Sequence, residues 1–127
     1  FFMDPNPKMM EFVEKYRKIR GAYPDSWAVQ AYDAVYLIKA GVEKAKTTDT
    51  EAVIKAMEGL AIDSLRGRFF IRPLDHMGSV PAYQGTIAKD PNYPFKIWKD
   101  ISRIPGDQVW RSEQSVREVW KKTGVTR

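Results

Sequence analysis

Hydrophobic positions recur along this chain first at helical and then at strand spacing, and the change of period divides it. Met9, Phe12, Val13, Tyr16 and Ile19 follow the rhythm of a helix face, with Asn6 between Pro5 and Pro7 as a cap and Gly21 as a stop. This predicts an amphipathic helix with a basic outer face. Pro24 blocks its continuation, and Asp25 or Ser26 offers a side-chain oxygen to the unpaired amides of a new first turn. Between positions 27 and 42 apolar residues run almost all the way round, which predicts a helix over 26–46 buried by neighbours on several sides. A chain of 127 residues has little with which to surround such a helix, so a piece of something larger is expected. Thr47-Thr48-Asp49 interrupts the pattern, and Thr48 with Glu51 has capping-box spacing for a third helix whose inner stripe is Val53, Ile54, Met57 and Leu60.

After Gly59 the character changes. Gly67-Arg68-Phe69-Phe70-Ile71-Arg72 is aromatic and β-branched between turn formers, which predicts a strand. Positions 79–89 and 95–104 are further strand candidates, the latter with Phe95, Ile97 and Ile101 on one face. Asp75-His76-Met77-Gly78 and Asp90-Pro91-Asn92-Tyr93-Pro94 read as turns. A closing helix over 112–122 places Val116, Val119 and Trp120 together. The order is therefore a helical part over 1–60, a strand-rich part over 66–104 and a final helix. It lacks the regular alternation of a complete doubly wound domain.

Composition narrows the chemistry. With 43% hydrophobic and 29% charged residues the chain is globular, and its length fits one core. No apolar run reaches membrane-spanning length, and the first residues carry no export signal. Phe1 in place of an initiating Met implies a start inside a longer product or after processing. The absence of cysteine excludes disulfides, thiolate metal sites and cysteine nucleophiles. The formal charge of +5 is spread along the chain, which fits a solvated basic face better than a nucleic-acid reader, where charge concentrates on one element.

The single histidine, His76, has no second His or Cys with which to hold a metal and no placed nucleophile to serve. It reads as a loop-ordering or an exposed residue. No serine sits in a nucleophile motif and no glycine-rich phosphate loop is present, so no catalytic residue, metal or cofactor is expected. Most of the aromatic residues read as core or rim. Trp27 stands apart, because it opens a helix whose first amides favour an anionic group and its ring offers flat apolar area to a small ligand; ordinary packing beneath the Tyr23-Pro24 turn is the other reading.

Glu11-Phe12-Val13-Glu14-Lys15-Tyr16, Tyr23-Pro24-Asp25, Ala31-Tyr32-Asp33-Ala34, Glu51-Ala52-Val53-Ile54-Lys55-Ala56-Met57 and Arg66-Gly67-Arg68-Phe69-Phe70 form a series. In that order they resemble the C-terminal part of the type I periplasmic solute-binding proteins of branched-chain amino acid ABC importers. The Arg72-Pro73-Leu74-Asp75-His76 turn and the segment through Pro94 extend the likeness along nearly the whole chain. The resemblance implies an α/β chain with part of the type I binding-protein fold, the last segment of a two-lobed periplasmic or cell-surface receptor. That receptor would close on an amino acid or an aromatic or other organic acid and dock on an ABC permease. It also implies a ligand-facing aromatic at Trp27, with Ser26 and Gln30 as neighbours, while the ligand's other contacts come from sequence that is absent here. The chain alone is then expected either to self-associate through uncovered apolar surface or to be a proteolytic core. A ligand-sensing regulator of the same fold and an independent basic α+β domain binding nucleic acid are the competing readings.

Overall fold

The structure is a computed structural model that describes residues 6–125. Pro5 and the residues before it lie outside that range, so the cap region is described from Asn6 onward. Helix α1 (Pro7–Arg20) starts where the Asn6 side chain accepts a hydrogen bond from the Lys8 amide at 3.0 Å. It ends at Gly21, whose φ of 66° is the left-handed turn that glycine adopts without penalty. Helix α2 (Ser26–Ala45) is capped by Asp25, which accepts from the Ala28 amide at 2.8 Å. Helix α3 (Thr50–Met57) is capped by Asp49, whose carboxylate accepts from the Ala52 amide at 2.9 Å. The cap expected at Thr48 thus falls one residue later, because a carboxylate stands there.

The strands follow as antiparallel pairs. β1 (Ala61–Ser64) joins β2 (Gly67–Ile71) through the two-residue turn Leu65-Arg66, and β2 also pairs with the short β3 (Gly78–Ser79). β4 (Ala82–Ala88) and β5 (Ile97–Ile104) form a separate two-stranded sheet. The register slips between Gln84 and Thr86, and Asp100 opposite takes a φ of 53°. This is a bulge that re-aims the strand. The single strand expected over 79–89 is two strands in different sheets, since Pro81 at the break has no amide to donate. β1 was not among the sequence expectations. A 3-10 turn (Gly106–Gln108) leads to α4 (Glu113–Thr123), capped by Ser112.

Met9 and Val13 of α1, Val29 of α2 and Leu65 of the β1–β2 turn form the core, with Phe12 and Tyr23 against it. α2 buries one row only, Val29, Asp33, Leu37 and Gly41, spaced by one helical turn. Gly41 is where α3 comes closest: a side chain there would meet Met57 Cγ at 2.7 Å. On the opposite face Trp27, Val35 and Ile38 are exposed together with Ala31 and Ala34. The burial on several sides expected of this helix is thus not reached among the described residues, which cover one face and leave the other open.

Candidate functional site

The turn between β1 and β2 is the junction of the molecule. Asp33, only 1% exposed, spends one carboxylate oxygen on the Leu65 amide at 2.9 Å and the other on Arg66 Nε at 2.8 Å. The Asn6 side-chain amide donates to the Leu65 carbonyl at 3.0 Å, and Arg103 of β5 donates to the Arg66 carbonyl at 2.7 Å. Ser64 closes the turn from within, its hydroxyl donating to the Gly67 carbonyl at 2.7 Å. α1, α2 and the second sheet are all tied to this one loop. A buried carboxylate with both oxygens bonded to a turn fixes its conformation more firmly than apolar packing would.

Two hollows share this junction. A cleft of about 490 Å³ lies between the first turn of α2 and the β4–β5 sheet, lined by Ser26, Gln30, Arg66, Tyr83, Lys96 and Trp98 among others. A shallower one lies beside it, where Trp27, Phe69 and Val80 stand around the same Gln30 and Arg66. Ser26 and Gln30 thus meet in the cleft beside the β4–β5 sheet. Trp27, 73% exposed, stands in the neighbouring hollow, joined to it through Gln30. Of the anion-seeking amides at the helix start, that of Ala28 already receives the carboxylate of Asp25. Arg66 and Lys96 bring positive charge to the cleft.

The two hollows differ in charge from others in the molecule. The space between α1 and α2, about 560 Å³, includes Glu11, Asp33 and Asp63 among its lining, and the one near the 3-10 turn, about 430 Å³, includes Asp107. No acidic side chain lines either hollow at the start of α2. Arg66 and Lys96 are the residues that the sequence did not single out as ligand-facing. The signal for Arg66 lay in Asp33, which is spaced as a core position yet carries a charge and must therefore have a partner.

His76 closes the turn after β2 in a left-handed conformation, φ 59°, with its Nε2 at 3.2 Å from Glu58. The hydrogen bond from Lys55, and then that from His76, holds the Glu58 carboxyl below its ordinary range. This is ordering of a turn. Among the described residues no cluster of acidic or histidine side chains could hold a metal ion, and no helix is long and apolar enough to cross a membrane.

The start of α2 thus borders two hollows flanked by aromatic and basic side chains, and comparison with known proteins gives the class of the chain. Residues 1–92 match the family model described as periplasmic binding protein, and the chain belongs to that family. It is similar to an ABC-type branched-chain amino acid transporter from Rhodopseudomonas palustris, with 28% identity and a TM-score of 0.76 over 85% of this chain and 29% of that one. A solute-binding protein of an ABC transporter from the same species, crystallised with 3,4-dihydroxy benzoic acid, shares 25% identity at a TM-score of 0.70, over 83% of this chain and 29% of that one. A leucine-, isoleucine-, valine-, threonine- and alanine-binding protein from Brucella ovis shares the fold at 20% identity and a TM-score of 0.67, over 86% of this chain and 30% of that one. The chain therefore spans under a third of the length of these relatives. No curated protein matches it.

Proposed function

We propose that the chain is the C-terminal segment of the substrate-binding subunit of an ABC importer, supplying part of one wall of a cleft that captures amino acids or related small organic acids. The observation that carries this reading is the pair of hollows at the first turn of α2, with Trp27, Ser26 and Gln30 around them, in a member of the periplasmic binding protein family. Similarity to importer proteins, one of them crystallised with an aromatic acid, supports it. The work is binding and not catalysis: a solute bridges two lobes and stabilises the closed arrangement only through contacts made by both. The closed form then delivers it to a membrane permease, and the protein acts in the periplasm or at the cell surface.

A thermal-shift screen of the complete gene product against amino acids and aromatic acids tests this. A stabilising hit is expected, and Trp27→Ala should weaken it on the order of 10-fold, the loss expected when one aromatic contact is removed. A screen without a hit, or a variant that binds like the parent, counts against the reading.

The uncovered face of α2 follows from the same proposal, since the rest of the two-lobed protein would cover it. Residues 1–127 alone are expected to self-associate, and Ile38→Lys should shift them toward monomer in light scattering. A clean monomer of the unsubstituted chain at tens of micromolar would remove this expectation.

A further inference from the structure

Arg66 combines three properties that ordinary structural arginines do not share. Its side chain is only 12% exposed, its Nε is committed to the buried Asp33, and it lines both hollows at the start of α2. Among the described residues its two terminal nitrogens make no hydrogen bond, yet no buried side-chain nitrogen or oxygen is left without a partner. Those nitrogens therefore keep contact with solvent, on a residue that lines both hollows. The result is a guanidinium fixed at one edge by a carboxylate, with the paired N–H groups of its other edge open to a ligand. That edge has the fork geometry that matches a planar carboxylate.

Around this fork the wall offers rings and no acid. Trp27 and Phe69 stand on one side, Tyr83, Phe95 and Trp98 on the other, and the one further charge is Lys96. The only acid in contact with Arg66 is Asp33, and both of its oxygens are already bonded.

Resting on the importer reading above, we propose that Arg66, oriented by Asp33, is the residue that receives the ligand's carboxylate, and that the ligand class is an aromatic carboxylic acid. Gln30, shared by both hollows, sits where a second polar group of such a ligand would fall.

The experiment is calorimetric titration of the complete gene product with benzoate, benzamide and L-leucine, repeated on Arg66→Lys and Arg66→Gln. Benzoate should bind and benzamide should bind on the order of 10- to 100-fold more weakly, the factor of one charge-assisted hydrogen-bonding contact. Arg66→Gln should bring the two affinities together, and Arg66→Lys should keep part of the difference by retaining charge without the fork. The comparison of acid with amide in the unsubstituted protein holds even where a variant fails to fold. Equal binding of benzoate and benzamide overturns the proposal. Binding of L-leucine in preference to benzoate overturns it while leaving the importer reading intact, and binding of none of the three defeats the proposed ligand class. Failure of the broad screen against amino acids and aromatic acids would be the separate defeat of the importer reading.

Discussion

Asp33→Ala is expected to destabilise the protein by about 3–5 kcal/mol, the cost of removing one partner from a buried ion pair. The carboxylate is 1% exposed and serves two donors, so its loss leaves the Leu65 amide without its acceptor and Arg66 as an uncompensated charge. Natural domains are stable by only about 5–15 kcal/mol, so this single change removes a large share of the total. Asp33→Asn should cost less, because its amide oxygen still accepts from Leu65 while the charge attraction to Arg66 is lost. The double substitution Asp33→Ala with Arg66→Met should recover much of the loss, since no charge then remains buried. Urea unfolding at fixed protein concentration reads all three. A midpoint for Asp33→Ala equal to that of the parent would mean that the junction at the β1–β2 turn does not hold the helices to the sheets.

The helices were legible because each boundary carries its own local chemistry. Asn6, Asp25 and Ser112 cap, Gly21 stops α1, and those signals need only neighbouring residues. The third cap was misplaced because Thr48 and Asp49 both offer oxygens, and the spacing of Thr48 to Glu51 does not show which backbone geometry the chain adopts. β1 was illegible for a different reason. Ala61-Ile62-Asp63-Ser64 has little strand preference of its own, and it is a strand because the Leu65-Arg66 turn lays it against β2.

The site divides along the same line. Ser26, Trp27 and Gln30 are close in sequence and fall on one helix turn, so a local pattern suffices to group them. Arg66 reaches the same place through an ion pair with Asp33 far along the chain, and Tyr83, Lys96 and Trp98 arrive through the β4–β5 sheet. No periodicity encodes those meetings. The all-round apolar pattern of α2 predicted burial on several sides, and only the structure shows that these residues cover one row and leave Val35 and Ile38 on an open face.

Arg72→Ala is the second large effect, again expected at about 3–5 kcal/mol. Arg72 is 6% exposed, and its guanidinium meets both oxygens of Asp75, with Nε at 2.8 Å from one and Nη2 on the other. Its remaining nitrogen donates to the Arg111 carbonyl at 2.8 Å, and its plane stands 4.7 Å from the centre of the Trp110 ring. One side chain thus ties the turn after β2 to the segment that leads into α4. Arg72→Lys should recover only part of the loss, because an ammonium cannot serve the two oxygens, the carbonyl and the ring at once. The pair also sets an acid limit. The hydrogen bond from Arg72 holds the Asp75 carboxyl below its ordinary range, with desolvation opposing and the Met77 amide assisting. A carboxyl whose folded pKa is depressed stabilises the fold above its unfolded value, and that contribution fades as pH falls from the ordinary Asp range of about 3.9 through the lower folded value. Stability of the parent protein should therefore drop over that acid window, and Asp75→Asn should flatten this part of the profile. A pH profile of the urea midpoint with the same acid slope in parent and variant would show that the pair does not carry it.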